Sequence, residues 1–186
     1  MQIPDLCFKK LKRGIHAFIV VVLLVASSPL IKADTLAGRI VGVSDGDTLT
    51  LLDDAKSQHK IRLGGIDAPE KKQPFGQRSK ETLSDFVYDR QVLVDWTKRD
   101  RYGRIVGKVL VDGRDVNIRM VSLGMAWHYK EYQKEQSVED RRSYSEAEEI
   151  ARSAKKGLWQ DLEPTPPWEF RKATREVSAP RVSSQN

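Results

Sequence analysis

The stretch Ile61–Glu70 reads IRLGGIDAPE, and a shorter DGDT at Asp45–Thr48 precedes it. Between them they carry Arg62, Asp45, Asp47, Asp67 and Glu70, interleaved with Leu49, Leu51, Ile61, Leu63 and Ile66, which a sheet would bury. Ionised side chains are almost never fully buried unless they are paired or bound to a metal. Asp47 and Asp67 fall on neighbouring strand ends of a simple meander, so their carboxylates can converge on one point. Two like charges that close need a cation between them or a shared proton. An all-oxygen donor set with no Cys or paired His favours Ca²⁺ or Mg²⁺ over zinc. Glu70, beyond Pro69 on the same loop, can activate a water. Arg62 and Arg104 carry forked donors matched to phosphate oxygens. A divalent cation, a carboxylate base and two arginines suit attack of water on a phosphodiester.

Each motif also has a plainer reading. Asp-Gly-Asp-Thr alone is a turn with side-chain-to-backbone hydrogen bonds. Arg62 can be a strand partner of Asp47, and Arg104 a surface charge beside a turn. Asp67-Ala-Pro-Glu can open a helix, with Asp as its cap and Glu in its first turn. Their joint occurrence at strand ends favours the chemical reading.

The elements that must position these groups are short. Gly38–Val43, Thr48–Leu52 and Lys60–Leu63 read as strands separated by Asp- and Gly-rich turns. Ser79–Val87 places Leu83, Phe86 and Val87 at helical spacing. Gln91–Trp96 and Arg104–Val111 are two further strands, with a charged turn over Lys98–Gly103 between them. Val116–Leu123 and Tyr144–Ala154 are helices. This order is that of an oligonucleotide-binding (OB) fold, a five-stranded Greek-key barrel with three helices, α+β in class. From Pro164 onwards Pro, Ser and charges dominate, and residues 163–186 read as a flexible tail.

DGDT, then RLGGIDAPE, then DRYGR at Asp100–Arg104, then the NIRMVSLGMA of Asn117–Ala126 come in an order that resembles the staphylococcal nuclease (thermonuclease) family, over about Gly38–Trp159. That resemblance implies a Ca²⁺-dependent, sugar-nonspecific nuclease that hydrolyses DNA and RNA to 3′-phosphorylated ends. By position it makes Asp47, Asp67 and the main-chain carbonyl of Ala68 the metal ligands, with Asp45 supporting them from behind. Glu70 becomes the general base or water-orienting group, and Arg62 and Arg104 bind the phosphate and stabilise the transition state. Ala68 stands where the best-known member has Thr, which leaves a backbone ligand unchanged. Tyr102, Tyr129 and Tyr132, together with Trp127, are candidates to stack on bases, although an aromatic cluster after a helix is more often core. The alternative is a non-catalytic nucleic-acid-binding OB module; members of that kind have lost acids and arginines that are all present here. A protein- or sugar-binding envelope domain would have no use for Arg62.

Before the domain, Lys9, Lys10, Lys12 and Arg13 precede an apolar run from Ala17 to Leu30. Residues 1–33 therefore read as a signal peptide cleaved before Asp34, with residues 34–162 as the domain. The expected product is secreted or periplasmic, monomeric, without stable membrane association or an implied protein partner. Five basic groups and one acidic group lie in residues 1–33, so the +6 of the whole chain becomes +2 for residues 34–186. Net charge does not establish a polyanion-binding surface, and any affinity must come from local clustering. Cys7, the single cysteine, lies in the same leader, so the domain has no disulfide and no thiol ligand. His59 and His128 read as ordinary surface or pocket residues.

Overall fold

In the computed structural model the described residues are 34–178; the expected signal peptide lies outside them. The described chain starts with three strands, β1 (Asp34–Val43), β2 (Thr48–Leu52) and β3 (Gln58–Leu63), joined by tight polar turns. A two-residue strand β4 (Ile66–Asp67) leads through the Pro69 loop into helix α1 (Gly76–Val87). Strands β5 (Gln91–Arg99) and β6 (Ile105–Val111) follow, then the short β7 (Arg114–Asp115) and helix α2 (Val116–Ser122). The chain continues through β8 (Trp127–His128) and helix α3 (Val138–Ser153) to helix α4 (Pro167–Ser178).

The main sheet runs β3-β2-β1-β5-β6-β7, and β3 also pairs with β6. That last pairing is parallel, Ile61 opposite Ile105 and Leu63 opposite Gly107, and it closes five strands into a barrel. The fold is the OB barrel with helices expected from the sequence. Closure leaves none of the five strands with a long unpaired edge. Along β6, Ile105, Gly107, Val109 and Val111 point inward and alternate with partly exposed residues, the period a sheet demands. Ile40, Leu49, Leu51, Ile61, Leu63, Val94 and Val109 fill the interior, and α1 and α2 cover it with Leu83, Val87, Met120 and Val121.

Several element limits differ from the sequence reading, each for a local reason. Strand β5 runs on to Arg99 because a bulge after Trp96 lets Lys98 and Arg99 keep pairing with Val106 and Ile105. Helix α3 begins before Tyr144 because Ser137 caps it, accepting from Asp140 N at 3.0 Å, with Glu139 and Asp140 in its first turn. Part of the expected flexible tail is helix α4. Pro167 opens it, a position where proline lacks only a hydrogen bond the helix would not make. Trp168 packs on a second apolar cluster of Trp127, Ala151, Leu158 and Trp159.

Candidate active site

One end of the barrel is held by close backbone approach. Gly46, inside DGDT, has no room for a side chain: a Cβ there would lie 2.0 Å from Ser79 Oγ and 2.7 Å from Ala68 Cβ. The turn is thus pressed between α1 and the Pro69 loop. Gly76 plays the same part below it, since a Cβ would meet the Glu70 carbonyl at 1.9 Å. These contacts fix where Asp47 and Glu70 emerge. The possibility that Asp67-Ala-Pro-Glu opens a helix is corrected: Asp67 lies in β4, paired with Trp127, and α1 starts only at Gly76.

Arg62 is at the centre. Its strand position is opposite Thr48, which sets it beside Asp47. Arg62 Nη2 donates to Asp67 Oδ1 at 2.9 Å, and Nη1 forms an ion pair with Asp47 Oδ2 without hydrogen-bond alignment. Asp47 Oδ2 also accepts from Ala68 N at 2.9 Å, and its Oδ1 from the Thr48 hydroxyl at 3.1 Å. Asp45 supports this from behind, its Oδ1 accepting from Asp47 N at 3.1 Å. Asp47 and Asp67 thus converge on one cation. Only 1% of Asp67 is exposed, and burial pushes its carboxyl above the ordinary range, with Arg171 and Arg62 pulling it back. Burial also raises Asp45, with the Asp47 charge adding to it. Burial alone would lower Arg62, but Asp47 and then Asp67 outweigh it and hold it above its usual value. It stays charged, and it is costly to keep there.

Glu70 stands at the rim, its side chain 40% exposed, with its backbone N donating to Gln73 Oε1 at 3.1 Å. Arg104 arrives from the start of β6. Its Nε donates to Asp100 Oδ2 at 2.7 Å and its Nη1 to Thr48 Oγ1 at 3.3 Å, so it borders the same strand end rather than solvent alone. The structure therefore brings together Asp45, Asp47, Arg62, Asp67, Glu70 and Arg104.

The aromatic candidates separate. Trp127 is 9% exposed and meets Trp159 edge-on at 4.3 Å, a core residue. Tyr129 and Tyr132 form a pair at 4.9 Å near the mouth, Tyr132 being 39% exposed. Burial, then the hydrogen bond to Glu131, pushes the Tyr129 hydroxyl up to about 12, so it remains a neutral surface. Tyr102 projects from the Asp100–Arg104 turn, 73% exposed, with the Arg101 and Arg104 guanidiniums each 5.6 Å from its ring. The two histidines part company as well. His59 Nε2 pairs with Asp53 Oδ2 at 2.7 Å near the surface, whereas His128, read as a surface or pocket residue, is buried. It sits on β8 against Tyr144, with Nε2 2.9 Å from Gln136 Oε1, because β8 pairs with β4 beneath α3.

Two residues outside the sequence reading reach this place. Arg171 of α4 hydrogen-bonds Asp67 and Glu70, and Trp168 stacks on Tyr129. The signal for a helix there was Pro167 followed by Glu169 and, in the last turn, Arg175. Nothing in the linear sequence points α4 at the site.

Among the described residues no three His, Cys, Asp or Glu side chains gather as a metal cage. The donors present nevertheless fit a hard cation by type, because the Asp47 and Asp67 carboxylates and the Ala68 carbonyl offer oxygen alone; Arg62 and Arg171 supply the positive charge at those carboxylates.

A closed barrel with helices, carrying carboxylates and guanidiniums gathered at one strand end, places the protein in the α+β class of OB folds. A sequence profile described as "Staphylococcal nuclease homologue" matches residues 60–161. An "Uncharacterized endonuclease" of Escherichia coli is 42% identical over 155 residues, 83% of this chain and 96% of that protein. One from Haemophilus influenzae is 43% identical over 134 residues, 72% of each chain. A "Micrococcal nuclease" of Shigella flexneri is 34% identical over 174 residues, 89% of this chain and 96% of its own. The chain belongs to the staphylococcal nuclease family.

Proposed function

We propose that this protein is a Ca²⁺-dependent, sugar-nonspecific nuclease acting on DNA and RNA. The observation that carries the reading is Arg62, 14% exposed and held between Asp47 and Asp67 with Glu70 and Arg104 alongside. Barrel closure needs none of these charges. Asp47, Asp67 and the Ala68 carbonyl would hold Ca²⁺, which supplies charge to offset that growing on the phosphate oxygens.

The protein's own groups do the rest. Arg62 and Arg104 bind the non-bridging phosphate oxygens and stabilise the transition state. Glu70 takes a proton from water as its oxygen bonds to phosphorus. The bond to the 5′ oxygen breaks and that oxygen takes a proton from solvent, leaving a 3′-phosphate and a 5′-hydroxyl. Asp45 fixes the Asp47 backbone, and Tyr102, Tyr129 and Tyr132 offer faces to unpaired bases. Positioning supplies much of the rate.

The basic and apolar leader supports a secreted or periplasmic location with no retained membrane contact. The test is degradation of single-stranded DNA and RNA by residues 34–186, with Ca²⁺ and with a chelator. Calcium-dependent release of 3′-phosphorylated products is expected. Binding without cleavage at any Ca²⁺ concentration would instead make the protein a binding module.

A further inference from the structure

Helix α4 meets the site through contacts that resemble those of a ligand. Arg171 Nη2 donates to Asp67 Oδ2 at 2.8 Å, and Nη1 to Asp67 Oδ1 at 3.2 Å and to Glu70 Oε1 at 2.8 Å. With Arg62 already on Oδ1, both oxygens of Asp67 are occupied by guanidinium. Trp168 lies on Tyr129 with ring centres 5.4 Å apart and planes 11° apart. That is the parallel stacking a nucleobase makes on an aromatic side chain. Trp168 and Arg171 are three residues apart and so share one helix face.

The rest of α4 has little hold on the domain. Pro167 is buried and Gln73 Nε2 reaches the Thr165 carbonyl at 2.5 Å, but every residue from Lys172 to Ser178 is exposed. A helix kept for scaffolding would bury an apolar stripe; this one is anchored by the Arg171 guanidinium on Asp67 and Glu70 and by the Trp168 ring, which lies on Tyr129 and meets Trp127 edge-on at 5.6 Å.

We propose that α4 is an internal competitor for the active site, Arg171 holding the cation's place at Asp67 and Glu70 while Trp168 holds a base's place on Tyr129. The inference rests on the nuclease reading above. Calcium removes one anchor and an unpaired base removes the other, so each eases entry of the second, and the two ligands bind with positive coupling. The helix thereby selects for single-stranded segments, whose bases are free to displace Trp168.

The test is calorimetric titration of Ca²⁺ into the full chain and into Arg171→Ala and Trp168→Ala, without substrate. Both variants are expected to bind Ca²⁺ more tightly, Arg171→Ala by about tenfold. Trp168→Ala changes no charge, and its unfolding curve shows whether loss of the Trp127 contact has disturbed the domain, so tightening with an unchanged curve comes from release of the helix. Wild-type protein gives a second readout, since Ca²⁺ with deoxythymidine 5′-monophosphate should speed trypsin cleavage after Arg171 and Lys172. Unchanged affinity in Trp168→Ala, or trypsin cleavage indifferent to both ligands, overturns the competitor while cleavage of DNA keeps the nuclease reading. Absence of calcium binding and of DNA cleavage in all three proteins overturns both.

Discussion

Two buried polar knots lie in this barrel, and they are built on opposite terms. At Asn117, fully buried at the start of α2, the side-chain oxygen accepts from Val109 N at 3.1 Å, and the amide nitrogen donates to the carbonyls of Gly64 and Gly107 at 3.0 and 3.1 Å. It is neutral, satisfied by backbone, and ties β3 to β6 where the barrel closes. At the other knot Arg62 and Arg171 face Asp47, Asp67 and Glu70. That knot is charged throughout, and its Arg62 Nη1 has no aligned acceptor. A satisfied neutral amide stabilises a fold, whereas buried charge seldom exceeds its desolvation cost. The first knot is explained by folding, and the second requires a function.

The widest separation between the two should come from Glu70→Gln, which is expected to lower the cleavage rate by about 10²- to 10⁴-fold with an unchanged unfolding curve. Wild-type turnover by that variant would remove Glu70 from the base role. Arg62→Ala should abolish cleavage and also destabilise, by about 3–5 kcal/mol, because it leaves two buried carboxylates short of a partner. Asn117→Ala should cost about 3 kcal/mol in urea unfolding by stranding Val109 N and the Gly64 carbonyl, the Gly107 carbonyl keeping Gly64 N at 2.8 Å, while the rate per folded molecule stays that of the wild type. A loss of turnover in excess of the loss of folded protein would mean that the two knots are coupled.

A smaller effect concerns pH. Burial lowers His128 below its ordinary value of 6.5, against the opposing pull of Gln136 and Glu148. The unfolded chain therefore takes up this proton first, and stability falls as pH drops below 6.5. Thermal midpoints measured from pH 7 to 5 should decline less steeply in His128→Gln. Smallest of all, Tyr102→Ala at an exposed turn should leave stability unchanged and weaken single-strand binding by about 1 kcal/mol, read by fluorescence anisotropy; no change would confine base stacking to Tyr129 and Tyr132.

Much of this was legible in sequence because it depends on local patterns. Alternation of β-branched residues marks the strands, Asp-Gly pairs mark the turns, and charges placed among Leu49, Ile61 and Leu63 mark the mouth. What failed to show depends on pairing over long separations. His128 is buried because a two-residue strand pairs it with Ile66, too short a run to carry a period. Pro164, Pro166 and Pro167 read as disorder, yet Pro167 begins a helix, and only tertiary contact between Trp168 and Tyr129 says where that helix goes. Asn117 was placed in a helix, but its role is set by carbonyls at Gly64 and Gly107.

On the function proposed above, the charged knot serves hydrolysis and not the barrel. This is tested most directly by thermal unfolding together with DNA cleavage for the triple variant Asp47→Asn, Arg62→Met, Asp67→Asn, in which the three least exposed charges of the knot are removed together and the Arg171–Glu70 pair at the rim is kept. A folded protein is expected, with a midpoint at or above that of the wild type, that cleaves nothing. A midpoint lowered as far as that of Asn117→Ala, or cleavage retained, would contradict it.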